Sequence, residues 1–148
     1  MRHRLFAHVV WTTLDRAPIL TAGVAEFLVR YLPAMAARDR ARMLAVGIVS
    51  THLHLLLRLH PQTDIPRMIQ RMKGGSARLA LLEGHAGYLR WARGYNIESV
   101  SARALPAVAH YVAGQSRHHA ELTIAGWEPP PPMLESRWRE EAWPPASG

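Results

Sequence analysis

Residues 42–59, "RMLAVGIVSTHLHLLLRL", constrain the chain more than any other stretch. Two apolar runs, 42–49 and 52–59, are separated only by Ser50 and Thr51. A connection that short joins antiparallel neighbours, so the stretch predicts a β-hairpin. Side chains alternate across a strand, which puts Leu53, Leu55 and Leu57 on one face and His52 and His54 on the other, about 7 Å apart. A run this rich in leucine is built for burial, yet two imidazoles look out side by side from it. With nine His in 148 residues, a His-x-His spacing arises by accident about half a time in such a chain. The pair alone is compatible with a half-buried strand that happens to carry two histidines, and a functional reading needs a third group.

The remaining elements follow from pattern. Residues 5–13, "LFAHVVWTT", are β-branched and aromatic and read as a first strand. From Thr21 to Arg38, Val24, Phe27, Leu28, Tyr31 and Leu32 fall at helical spacing, with Pro33 expected to kink or break the helix. Asp64 is a candidate N-cap for a second helix whose apolar stripe is Ile65, Met68, Ile69, Met72, Leu79 and Leu82, weakened in its middle by Gly74 and Gly75. A short strand fits "YNIESVS", ended by Ser101 as the cap of a last helix, "SARALPAVAHYVAGQSRHHAEL", with Pro106 near its first turn. The order β-α-β-β-α-β-α is that of an α+β protein, a ferredoxin-like split βαβ antiparallel sheet backed by helices, with one C-terminal helix added. Residues 1–126 form the expected domain; from Trp127 to Gly148 the chain turns Pro- and Trp-rich and too poor in aliphatics for a core of its own.

Composition narrows the class. There is no cysteine, which removes disulfides, thiolate zinc sites and a cysteine nucleophile together. No run of about 18 apolar residues and no export leader occurs, so the expectation is a cytoplasmic protein with no membrane partner. Lys plus Arg number 18 against 11 Asp plus Glu, and all the basic residues but Lys73 are arginine. Residues 1–127 alone carry a net charge of +9. Arginine's planar fork suits phosphate groups and stacks on bases, so a nucleic-acid partner is the natural inference. Arg67, Arg71, Lys73 and Arg78 make a basic stripe along the second helix that suits a nucleic-acid backbone, or equally an ordinary solvated face.

The third group comes from the last helix. Tyr111, Gln115, His118 and His119 stand at i, i+4, i+7 and i+8 and would line one helix face. Four segments in order, "HVVWTT", "HLHLLL", "GYNIESVS" and "YVAGQSRHH", resemble the HUH single-tyrosine transposases, the insertion-sequence single-strand transposases and REP-associated tyrosine transposases, over most of residues 5–120. One departure is "VSTHLH", where such proteins commonly carry a Pro and an Asp or Asn just before the first histidine; it alters the hairpin turn and leaves both histidines in place.

The resemblance implies the ferredoxin-like fold reached above, His52, His54 and Gln115 as ligands of Mg²⁺ or Mn²⁺, and Tyr111 as a nucleophile. Single-stranded DNA next to a hairpin would be cut and rejoined through a 5′-phosphotyrosine, with the other end leaving as a 3′-hydroxyl. His118 and His119 would be accessory acid, base or phosphate contacts, and His8 a core histidine or a neighbour of the site. A homodimer is expected of insertion-sequence members and a monomer is possible for the REP-associated ones. Two other readings stand beside this one: a non-catalytic binder of DNA or RNA hairpins on the same fold, and a metal-dependent hydrolase of small phosphoesters. The second has no Asp or Glu beside the histidine pair to activate water.

Overall fold

The computed structural model describes residues 3–85 and 88–133. Its elements are β1 (Leu5–Thr12), α1 (Ala22–Arg38), β2 (Arg42–Val49), β3 (His52–Leu59), α2 (Ile65–Leu82), β4 (Asn96–Val100), α3 (Leu105–Ala113) and α4 (Gln115–His118), with short 3-10 turns at Leu14–Arg16 and Ala120–Leu122. The four strands form one antiparallel sheet in the order β2-β3-β1-β4. β3 is inserted between β1 and β2, which is the split βαβ arrangement. Among the described residues, no helix is long and apolar enough to cross a membrane.

Strand parity divides the sheet into two faces. Ala7, Val9 and Trp11 of β1 and Leu53, Leu55, Leu57 and Leu59 of β3 point to the face covered by α1 and α2, where they meet Val24, Phe27, Leu28 and Leu32 of α1 and Met68, Ile69 and Met72 of α2. Opposite them a smaller cluster of Phe6, Leu44, Ala45 and Leu56 packs on Leu105, Ala109 and Val112 of α3. The added helix therefore lies on the same face as His52 and His54, and α2 lies on the other.

Several local expectations hold. Asp64 caps α2, its carboxylate accepting from the Arg67 N–H at 3.2 Å. Others are corrected. Pro33 does not end α1, which runs from Ala22 to Arg38 with the proline inside it. A mid-helix proline costs on the order of 3 kcal/mol, and burial of Leu28 and Leu32 before it and Ala36 after it offsets that cost. Gly74 and Gly75 leave α2 continuous as well. At Gly75 a Cβ would overlap the Tyr31 hydroxyl, which donates to the Arg71 carbonyl at 3.2 Å, so the missing side chain is what lets α1 and α2 approach. Ser101 accepts from the Ala104 N–H at 3.2 Å in a turn that precedes α3 and does not cap the helix itself. The last helix is two helices, because Gly114 interrupts it.

The Pro-rich tail begins inside the body. Trp127 is buried in the larger cluster together with Ile124, and the Met133 N–H donates to the Leu44 carbonyl at 2.7 Å, beside a β-bulge between Met43 and Ala45. Residues 134–148 lie outside the described residues.

The tightest contact across the second face is at Gly47 of β2. A Cβ there would overlap the Val112 carbonyl oxygen and stand 2.8 Å from Cγ of Gln115. Gly47→Ala is expected to push α3 off the sheet and to lower stability by about 1–3 kcal/mol, the usual cost of overpacking. Urea unfolding of the two proteins measures it, and an unchanged midpoint would mean that α3 has room to give.

Candidate active site

The hairpin register does the first positioning. Val10 of β1 and Gly47 of β2 flank His54, while Thr12 and Val49 flank His52, so both imidazoles rise from the middle of three paired strands. Their rings are 5.2 Å apart, centroid to centroid. They are covered rather than exposed, at 8% for His52 and 7% for His54. Each has its Nδ1 engaged: that of His52 lies 3.0 Å from Thr51 Oγ1, and that of His54 lies 2.8 Å from Nε2 of His8. Thr51, with Ser50, stands where the resembled family commonly carries a Pro and an Asp or Asn, and here it brings a hydroxyl to the neighbouring histidine.

Helices α3 and α4 close the site from above. Tyr111 lies edge-on to His54 at 5.8 Å and to His8 at 6.0 Å between ring centroids. Gly114, at φ −92° and ψ 20°, ends α3, and its N–H bonds to the His110 carbonyl at 2.9 Å. In an unbroken helix the Tyr111 carbonyl would take the backbone N–H of Gln115. Here it accepts the Gln115 side-chain amide at 3.0 Å. That bond fixes the other end of the amide: Oε1 of Gln115 is buried and makes no hydrogen bond of good geometry in the protein, with the His52 ring near enough to interact with the side chain. A buried amide oxygen without a partner costs about 1–3 kcal/mol, unless something else occupies its lone pairs. The same side chain acts on His52, opposing part of the fall in that group's pKa.

His118 and His119 complete the rim. His118 packs on Tyr111 at 4.9 Å and His119 sits edge-on to His52 at 5.0 Å, with its Nδ1 4.0 Å from Glu121 Oε1. The electrostatics follow from this crowding of imidazoles. Burial first, then His8, His52, His119 and His118, push the His54 pKa down to about 3. His52 moves the same way, through burial and then His119 and Arg16. His8 is also lowered by burial, with Glu98 opposing. Both central histidines are therefore neutral at pH 7, the state in which a ring nitrogen can offer its lone pair to a metal.

The structure thus brings Tyr111, His52, His54, Gln115, His118 and His119 together, and adds His8. Parity alone could place His8 on the same face as Val10 and Thr12, but only the β1–β3 register puts it beside His54. The basic stripe is not part of this cluster. It lies on α2, across the sheet, where Arg71 pairs with Asp39 at 3.1 Å and the Lys73 ammonium donates to the carbonyls of Ala92 and Gly94, each at 2.7 Å. Arg67 and Arg78 are exposed there.

The donor set suits a divalent cation. Two neutral imidazoles with their Nδ1 atoms occupied and an unpaired buried amide oxygen leave two Nε2 atoms and one Oε1 as available ligands, a mixed nitrogen and oxygen set with positions to spare.

A tyrosine, two histidines and a glutamine gather on one face of a ferredoxin-like sheet, the arrangement expected from the resemblance to single-tyrosine transposases. A family model described as "Transposase IS200 like" matches residues 1–115, ending on Gln115 itself. The ISDra2 transposase TnpA of Deinococcus radiodurans is 30% identical over 125 residues, which cover 80% of this chain and 88% of that protein. The chain belongs to the IS200-like transposase family. Among solved structures, a protein of Deinococcus radiodurans R1 assigned as a transposase superposes with a TM-score of 0.62 at 26% identity, over 84% of this chain and 95% of that one. A REP-associated tyrosine transposase bound to a REP hairpin gives a TM-score of 0.58 at 13% identity, over 80% and 72% of the two chains, a likeness of fold.

The pKa of His54 has a consequence for the metal-free protein. An unfolded histidine, near 6.5, takes up a proton that the folded one, at about 3, refuses. The contribution to stability is complete above pH 6.5 and is lost as pH falls from there toward about 3. In chelator, the urea midpoint is expected to fall steadily from pH 7 to pH 4, and His54→Gln is expected to flatten that fall. Equal slopes for the two proteins would mean that His54 titrates normally.

Proposed function

We propose that this transposase cleaves and rejoins single-stranded DNA next to hairpins, using Tyr111 as the nucleophile and a divalent cation, Mg²⁺ or Mn²⁺, held by His52, His54 and Gln115. The observation that supports this reading best is the contrast between Tyr111 and the groups beneath it. Tyr111 is 42% exposed, whereas Gln115 is fully buried and the two histidines nearly so. Tyr111 holds its ring against His54 and leaves a side open to a strand laid across the site.

When bound, the cation would neutralise the oxygens of the scissile phosphate and polarise the phosphorus. The phenol of Tyr111 attacks that phosphorus and forms an O–P bond, while the bond to the 3′ oxygen breaks. One strand end stays on the tyrosine as a 5′-phosphotyrosine and the other leaves as a 3′-hydroxyl. The phosphoester is conserved, so the 3′-hydroxyl of a second strand can attack and reverse the step without nucleotide hydrolysis. The phenolic proton must leave as the bond forms. His118, in ring contact with Tyr111 and exposed to solvent, is the nearest group on the open side that can take it. His119 stands by His52 and suits a phosphate contact.

The net positive charge of residues 1–127 draws a phosphate backbone toward the molecule. Unpaired bases beside a hairpin leave the target phosphate within reach of a side chain that cannot enter a duplex. Arg67 and Arg78 offer exposed guanidinium groups on the far face, where a hairpin stem could extend. Within one chain the Tyr111 ring lies 5.8 Å from that of His54, centroid to centroid.

The experiment is a covalent-adduct assay. Wild-type protein with Mn²⁺ and a labelled hairpin strand is expected to give a species that survives denaturing electrophoresis, carrying the label 3′ of the cut. Tyr111→Phe removes only the oxygen and should retain hairpin binding while losing the adduct. Tyr31→Phe and Tyr95→Phe should behave as wild type. Persistence of the adduct in Tyr111→Phe would overturn the choice of nucleophile.

Metal removal separates the rest of the site. Chelator, or His52→Ala with His54→Ala, is expected to abolish cleavage while most of the hairpin affinity survives, because the ligands are few and the phosphate contacts many. Full cleavage in chelator would remove the cation from the reaction.

A further inference from the structure

We infer that His8 is a positioning residue that holds the His54 ring in the one tautomer able to bind a cation, and that Glu98 stands behind it. The inference rests on the reading of His52, His54 and Gln115 as a cation site. It begins from how His8 and His54 meet. Their nitrogens are 2.8 Å apart, their centroids 5.0 Å, and their ring planes 21° from parallel. Rings stacked face to face would not bring two nitrogens so close with centroids so far apart. Two imidazoles meeting nitrogen to nitrogen, edge to edge and nearly coplanar, do. The contact is therefore an in-plane hydrogen bond.

Only one of its two polarities leaves His54 useful. A neutral imidazole has one N–H and one lone pair. If His8 donated to Nδ1 of His54, the proton of His54 would sit on Nε2 and close that atom to a cation. If His54 donates from Nδ1 to Nε2 of His8, the Nε2 lone pair of His54 is free, and the proton of His8 must lie on its own Nδ1. Glu98 biases the choice. It is the register partner of His8 across β1 and β4, and its charge acts on the His8 ring. A carboxylate beside His8 favours placing the N–H on the side that faces it, and so leaves Nε2 to accept. His52 is treated in the same way by Thr51, whose hydroxyl oxygen can accept the N–H from Nδ1. Both histidines then present Nε2, each oriented by a second residue, as metal-bound histidines generally are. His8 comes from a different strand than either ligand, so the orientation is set by sheet register and not by the hairpin alone.

The test reads cation affinity without any reaction. Mn²⁺ binding to the DNA-free protein is measured by calorimetry and by the loss of free-ion EPR signal. His8→Ala is expected to weaken Mn²⁺ about 10- to 100-fold, the range found when such an outer partner is removed. His8→Gln places an amide oxygen near the position of Nε2, accepts the same hydrogen bond, and is expected to recover most of the affinity. Glu98→Gln should weaken binding less than His8→Ala does. Circular dichroism and urea unfolding show whether each variant is folded, and hairpin affinity in chelator should be unchanged throughout. Wild-type affinity in His8→Ala overturns the inference while leaving the cation site intact, and so does a His8→Gln variant as weak as His8→Ala. A wild-type protein that binds no Mn²⁺ overturns both this inference and the cation site on which it rests.

Discussion

A backbone carbonyl pressed against a residue with no side chain governs this molecule. The carbonyl of Val112 occupies the space that a Cβ on Gly47 would take, so α3 lies against β2 closer than any other residue would permit. Val112 follows Tyr111 directly, and Gln115 is one turn on. The distance of the helix from the sheet is therefore also the distance of the tyrosine and the glutamine from the histidines. Were α3 to ride higher by the size of a methyl group, the amide of Gln115 would leave the imidazoles it now adjoins. Apolar burial of Leu105, Ala109 and Val112 holds the helix down; Gly47 decides how far down it goes.

From that contact the polar part of the site acquires its logic. A helix pressed flat on a sheet has no room for solvent beneath it, so the groups there must satisfy one another. The break at Gly114 frees the Tyr111 carbonyl, and Gln115 spends its amide N–H on it. Thr51 and His8 occupy one nitrogen of each central histidine. What is left over is one buried amide oxygen, that of Gln115, beside the second nitrogen of each central imidazole. In the inferred tautomers these three atoms all carry lone pairs, a set that is unfavourable by itself and favourable around a positive charge.

Much of this was legible in the chain, and the boundary of legibility is physical. The hairpin, with strands at 42–49 and 52–59, is set by a two-residue connection and by parity, both local, and the structure places it with those limits. The order of elements followed from similar local signals. What failed to show was whatever depends on partners distant in sequence. Pro33 reads as a helix breaker until the burial on either side of it is known. The four-residue spacing of Tyr111 and Gln115 suggests one helix, and Gly114 between them is a weak signal that only packing on the sheet resolves into two. Arg71 and Lys73 look like free cations in a stripe, yet Asp39 and two carbonyls from the segment before β4 already hold them. Of the site, the residues within the two motifs were visible; His8 could be read either as a core histidine or as a neighbour of the site, and strand pairing decides for the second, while Glu98, which reaches His8 only through that pairing, was not visible.

The two borders of the sheet are finished in different ways. On the β2 side, a bulge at Leu44 turns a carbonyl outward, and the N–H of Met133 takes it. The chain's own later segment thus stands where a foreign strand would have to start. On the β4 side, the outermost strand is only five residues long, nearly all of it exposed, and carries Asn96, Glu98 and Ser99. A short border interrupted by charge and small polar groups is a poor template for accretion of further strands. Among the described residues the sheet therefore ends at four strands, with neither border shaped to take on a fifth.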